Sequence, residues 1–319
     1  LAPEFGLNQG FDEYDWEGAS NILHRSAEET VRRGMEWLSG SEQPSFLVLH
    51  FMEPHANYAP REAVRHRFAG ASGEEPPIPV PFTFEDGQSE ERLSLEQQDY
   101  LRRLYDEEIL DADRGIGRLV ESLEAQGVFS DTVVIVTADH GEEFWDHEGF
   151  EHGHQLFGEL TRVPLVMHAP GLHGGEIDVV VEHLDLFETI LDLGGVRSPV
   201  PAGESLIDLL ELMDAPSHGA LLARRTAISD NVLYGPPRLS IVDYDVRLTI
   251  NQGVSPMRGN LWRVATDGSE LELITGEVMH SETERIRQRL IARRGDMAPI
   301  AVETENGFQM DNLMVLDQL

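Results

Sequence analysis

Histidine is concentrated in one stretch of this 319-residue chain: of 13 in all, His140, His147, His152 and His154 fall within 15 residues. They follow directly on residues 132–138 (TVVIVTA), the most β-branched and apolar run present, which reads as a strand covered on both faces. The chain leaves that strand through Asp139-His140-Gly141-Glu142-Glu143. In α/β sheets, sites form where loops leave the carboxyl ends of strands. Successive strand side chains point to opposite faces, so Asp139 and His140 can reach one ion only if the chain turns, and Gly141 permits that turn. Hard oxygen with borderline nitrogen suits Ca²⁺, Mn²⁺ or Zn²⁺. Taken as an isolated dipeptide, the pair reads first as polar loop residues, and it is the neighbouring histidines that bring a metal site level with that reading. His152-Gly153-His154 is either a second chelating pair or a donor of protons or hydrogen bonds to a bound anion.

A second candidate is Glu53-Pro54-His55, directly after the apolar run 46–52 (FLVLHFM). Pro54 ends the strand and turns His55 out of the sheet. His24, His168, His173, His183, His218 and His280 read as ordinary surface or packed residues, and Arg162 as a structural ion-pair or carbonyl partner.

The elements that must position these residues alternate between helix and strand. Ser26 and Glu29 form a capping-box pattern ahead of Val31, Met35 and Leu38 at helical spacing. Residues 55–92, rich in proline, read as a long surface excursion. Ser94 and Gln97 open a second helix, whose stripe runs through Leu101, Leu104, Tyr105, Ala112, Ile116, Leu119 and Leu123 to Gly127. Strands are expected at 163–169 and 177–182, and a short helix at 185–193. After about residue 224, short segments near 226–229, 239–242, 246–250, 261–265 and 271–274 alternate with turns, which describes an antiparallel meander. A last helix starts at Ser281, and the final residues are weakly patterned. The expected fold is α/β, a mainly parallel sheet flanked by helices over 1–223, with a small antiparallel subdomain over 224–319.

Composition narrows the function. The formal net charge is −34, and every basic residue is Arg. Such a surface repels phosphate backbones and anionic lipid, which argues against nucleic-acid or membrane-surface binding. An anionic substrate would need a locally positive pocket, most simply a metal. Cysteine is absent, so disulfides and thiolate chemistry are excluded from this stretch. No apolar run approaches the roughly 20 residues that span a bilayer.

Residues 100–143 (YLRRLYDEEILDADRGIGRLVESLEAQGVFSDTVVIVTADHGEE) closely resemble the sulfatase family of the alkaline-phosphatase superfamily. The blocks 152–171 (HGHQLFGELTRVPLVMHAPG) and 46–60 (FLVLHFMEPHANYAP) are similar to its flanking motifs, and 1–16 to a stretch inside its catalytic domain. The resemblance implies an alkaline-phosphatase-like fold and hydrolysis of a small anionic sulfate ester. It implies Asp139 and His140 as ligands of a divalent metal, Ca²⁺ before Mn²⁺ or Zn²⁺, and His55 as a contact to the sulfuryl oxygens. The family's Lys or His beside the leaving oxygen falls to His154, with His152 as the alternative, since no Lys is present. The family's nucleophile, a formylglycine made from Cys or Ser in a Cys- or Ser-x-Pro-x-Arg motif, is not found in these residues. It is expected upstream, so that the chain reads as an N-terminally truncated piece, inactive alone. A periplasmic or extracellular setting is the family expectation. Two rivals stay open: a phosphodiesterase or phosphonate monoester hydrolase of the same superfamily, and a remnant or binding module without chemistry.

Overall fold

The computed structural model describes Pro3, Pro76 and residues 6–17, 25–41, 44–68, 93–172, 174–176, 178–198, 203–207, 225–230, 232–251, 257–265, 269–274, 281–286, 288–289, 298–304, 307–311 and 313–315. The chain forms two compact units. One holds 1–134, 148–151 and 167–170; the other holds 135–147, 152–166 and 171–319.

In the first unit, α1 (Ala27–Ser39) starts where Ser26 accepts a hydrogen bond from the Glu29 amide. The 31-residue α2 (Leu95–Ala125) starts with a complete capping box between Ser94 and Gln97. Each cap satisfies amides that the first helical turn leaves without partners. Val31, Met35 and Leu123 form a core joined by Leu38, Leu49, Phe51, Leu119, Phe129 and Val134. The two helices approach closely at Gly115, where an added Cβ would stand 2.7 Å from that of Ala27.

The run 46–52 supplies core residues but is no strand: no ladder partner pairs with it among the described residues. Leu49 and Phe51 pack inward, while Phe46 and Val48 are exposed. The alternation is that of a strand, and hydrophobicity alone does not supply the neighbour whose amides would complete it.

β1 (Val134–Thr137) falls inside the expected 132–138. β2 (Glu143–Phe144) and β3 (Phe150–Glu151) are two-residue strands, and the one-turn α3 (Gly158–Thr161) precedes β4 (Leu165–His168). β1 and β4 make a two-stranded sheet. Residues 178–182 carry no strand, a correction to the expected 177–182, and α4 (His183–Leu193) begins directly after them, two residues ahead of the expected 185. Asp185 accounts for the helix: its carboxylate accepts from the Glu182 amide at 2.9 Å, so it caps the first turn.

From β5 (Thr226–Asp230) the meander appears as expected: β6 (Arg238–Asp243), β7 (Val246–Asn251), β8 (Met257–Val264) and β9 (Glu270–Leu273) pair antiparallel in sequence. Leu239, Ile241, Val246, Leu248, Ile250 and Leu261 are buried in it. Helix follows at 281–286 and 288–289. The weakly patterned end forms β10 (Ala298–Thr304), β11 (Gly307–Asp311) and β12 (Leu313–Val315), with β10 running parallel to β8. No helix among the described residues is long and apolar enough to cross a membrane.

Candidate functional site

β1 delivers Asp139 and His140 to the surface, with their side chains 78% and 40% exposed. The turn brings them together rather than apart. Asp139 Oδ1 accepts the His140 amide at 3.0 Å, and Asp139 Oδ2 lies 3.8 Å from His140 Nε2. His140 Nδ1 lies 2.8 Å from the Gly141 carbonyl, which can only accept. In the neutral ring the proton therefore sits on Nδ1, and Nε2 turns its lone pair toward the Asp139 side. A carboxylate oxygen and an imidazole lone pair at this separation suit two ligands of one divalent cation.

Gly141 is required by close approach: its amide donates to the Leu160 carbonyl at 2.9 Å, and a Cβ would lie 1.9 Å from the Glu159 carbonyl oxygen. His183, at the start of α4, places Nε2 2.9 Å from the Ala138 carbonyl, next to Asp139. Sequence reasoning had read it as an ordinary residue. Its one available signal was a polar ring at a helix start.

The other two histidines of the cluster separate. The His152 ring lies 4.0 Å from that of His140, centroid to centroid, and its Nδ1 is 2.9 Å from Glu142 Oε1. His154 is buried, with Nε2 2.8 Å from Glu143 Oε2. The structure thus brings Asp139, His140 and His152 together, and sets His154 inside, on a carboxylate.

His147 belongs to a third arrangement. Its Nδ1 lies 2.6 Å from Glu159 Oε1 and its Nε2 3.9 Å from Glu270 Oε2, while the ring stacks on Phe157 at 3.7 Å. Together, His147, Glu159 and Glu270 hold ligand atoms within 4.8 Å of one another, the one such trio among the described residues. Arg247 already serves it: Nε stands 2.8 Å from Glu270 Oε1, and the guanidinium also donates to Thr161 and Ser240. Burial pulls the His147 pKa down, but the hydrogen bond to Glu159 and the charges of Glu159, Glu270 and Glu143 outweigh it, so the net shift is upward. The two carboxylates thus face a guanidinium and an imidazole whose protonated form they favour, so the cluster has countercharge of its own without a metal.

His55 lies in the first unit, exposed, with Nδ1 2.5 Å from the Ala56 carbonyl and its own amide donating to Met52 at 2.6 Å. The segment after it is held by carboxylates on α2. Glu108 accepts the Ala59 amide at 2.7 Å, Glu107 accepts that of Phe68 at 3.2 Å, and Asp111 binds the Arg61 guanidinium through both oxygens. Burial pushes the Glu108 pKa up to about 8, against the Ala59 hydrogen bond and with help from the charges of Glu53 and Asp111. His168 stacks on Phe129 at 4.2 Å, a packing role as expected, whereas His24, His173, His218 and His280 lie outside the described residues.

The family model "Sulfatase" matches residues 5–196, more than half of the chain. The chain is 31% identical over 100 residues to the uncharacterized sulfatase YidJ of Escherichia coli, covering 31% of this chain and 20% of that protein. It is 32% identical over 112 residues to arylsulfatase K of Danio rerio, covering 34% and 21% respectively. These matched stretches span about a fifth of the curated relatives' length. In fold, it is similar to the phosphonate monoester hydrolase of Agrobacterium radiobacter (TM-score 0.67, 20% identity, 91% of this chain and 66% of that one). It is similar also to BT4656, solved with its substrate D-glucosamine-2-N,6-O-disulfate (TM-score 0.64, 17% identity, 85% and 69%). On the strength of the matched 5–196, the chain belongs to the sulfatase family.

Proposed function

We propose that this chain carries the metal-binding and proton-transfer part of a sulfatase that hydrolyses a small sulfate monoester. The observation that supports it most is the convergence of Asp139 Oδ2 and His140 Nε2 at 3.8 Å, with Nδ1 of the same ring committed to a carbonyl. A divalent cation fits that donor pair, Ca²⁺ first, with Mn²⁺ or Zn²⁺ as alternatives. When bound, it would polarise the non-bridging oxygens of the ester and offset the anion's charge.

The protein's own residues supply the rest. Glu142 holds His152 at Nδ1, and the protonated ring would pass its Nε2 proton to the departing alkoxide, an effect typically worth roughly 10²–10⁴ in rate. His152 suits that part better than His154, whose ring is buried against Glu143. His183 holds the carbonyl before Asp139 and so steadies the turn. For His55, donation to a sulfuryl oxygen stands on the family resemblance and on its exposure.

The test is calorimetric titration of Ca²⁺, then Mn²⁺ and Zn²⁺, into the chain. Asp139→Ala and His140→Ala should each weaken the tightest binding by about tenfold or more. Variants that bind as tightly as the parent would overturn the assignment. The likeness of fold to a phosphonate monoester hydrolase supports a second reading, a phosphoryl or phosphonyl ester as substrate. Turnover of a phenyl phosphonate in preference to an aryl sulfate, by the protein that carries this chain, would select it. An extracytoplasmic setting belongs to the same proposal.

A further inference from the structure

The helix that precedes the metal pair buries three carboxylates, Glu107, Glu108 and Asp111, against the segment that follows His55. Two of them have plain partners, the Phe68 amide and the Arg61 guanidinium. Glu108 is different. It is 6% exposed, one oxygen accepts the Ala59 amide at 2.7 Å, and Oε2 is buried with no hydrogen-bond partner among the described residues. Glu53, two residues before His55, has the same imbalance: Oε1 accepts the Ala27 amide at 3.0 Å and Oε2 is buried with no hydrogen-bond partner among the described residues. The His55 turn is thus bracketed by two carboxyl groups, each tied by one oxygen and orphaned at the other. An orphaned buried carboxylate oxygen is costly, and at Glu108, deep among its neighbours, a bound proton is the simplest relief.

We propose that Glu108 is a positioning residue for His55: as the neutral acid it clamps the Ala59 amide and leaves Glu53 undisturbed, which keeps the 53–59 turn in one geometry. Ionisation favours the Ala59 bond itself but adds a third carboxylate charge to Glu53 and Asp111, with the Arg61 guanidinium already committed to Asp111 and Glu28; burial and repulsion outweigh that bond and loosen the turn. That the positioned ring meets a sulfuryl oxygen rests on the function proposed above; the clamp itself does not.

The experiment follows the whole chain from about pH 6 to about pH 9. Two site-resolved readouts are used: hydrogen-exchange protection of the Ala59 amide, and the rate at which diethylpyrocarbonate modifies His55, located by peptide mass spectrometry. In the parent, protection should fall and modification rise by about tenfold as the pH passes about 8. Glu108→Gln still accepts from Ala59 but cannot ionise, so the step should vanish. Glu108→Ala should lower protection and speed modification at every pH, and if it fails to fold the Gln variant alone decides. Persistence of the step in Glu108→Gln, or no step in the parent, would overturn the proposal. Neither readout needs metal or ester, so a failed metal titration beside a moved His55 signal would sink the sulfatase reading and keep the clamp.

Discussion

The two compact units each bury a cluster of acids, and they manage the charge in opposite ways. In the first, Glu108 meets a backbone amide and the neighbouring anions Glu53 and Asp111, so burial is relieved by a proton. In the second, Glu159 and Glu270 meet His147 and Arg247, so burial is relieved by countercharge. Burial raises the pKa of Glu270 and lowers that of Arg247, yet each lies against its opposite charge. A chain with net charge −34 and no Lys has few cations to spend inside, and it places one of its arginines at the second cluster. The difference teaches that an acidic cluster is no metal site until its own cations and protons have been counted.

The harshest way to break the comparison is Arg247→Met. It leaves two buried carboxylates facing one histidine, and removal of one partner from a buried ion network costs about 3–5 kcal/mol. Urea unfolding of the variant should show that loss at neutral pH, with added Ca²⁺ or Zn²⁺ restoring part of it by binding His147, Glu159 and Glu270. A loss under about 1 kcal/mol would mean that the cluster is not held by countercharge.

Glu108→Gln comes next and has the opposite sign. Folding raises the Glu108 pKa from 4.5 to about 8, so its contribution is fully present below pH 4.5 and is lost as the pH rises through about 8. At about pH 9 the glutamine variant should be more stable than the parent by roughly 2–4 kcal/mol, with little difference in acid, as linkage requires. Equal stability at alkaline pH would show the group to be ionised without penalty. For His147 the raised pKa means support present below its unfolded value, 6.5, and lost as the pH rises through the folded value. His147→Gln should therefore cost about 1–2 kcal/mol in mild acid and less in base, read from melts across that range.

Much of this was legible beforehand, and what was not has a common cause. The meander was plain because Arg238–Asp243 and Val246–Asn251 alternate apolar and polar residues across a two-residue turn, a purely local pattern. Asp139 and His140 were singled out because the strand before them is uniformly apolar and the pair follows it at once, and their side chains do lie 3.8 Å apart. Glu107, Glu108 and Asp111 were not singled out, because their partners, Phe68, Ala59 and Arg61, lie far back in the chain. His147 was grouped with a metal cluster because Glu270, which lies near its ring, and Arg247, which pairs with Glu270, stand on strands far ahead. The run 46–52 failed for the same reason: its apolar alternation was right, and the ladder that defines a strand is a property of a neighbour.

The smallest expected effect sharpens the first half of the comparison. Ser94 opens α2 about 20 Å along the helix from Glu108, at roughly 1.5 Å per residue. Its hydroxyl accepts the Gln97 amide, and Gln97 returns a bond to the Ser94 amide. Ser94→Ala should cost about 1 kcal/mol, the ordinary worth of such a cap. If the clamp is a local matter of Glu108, Glu53 and Ala59, that loss is the same at every pH, and the Ala59 protection step stays where the parent has it. Should the step instead shift with the cap, the carboxyl group's proton would be governed by the placement of the whole helix, and the contrast between proton and countercharge would have to be drawn between helices rather than between residues.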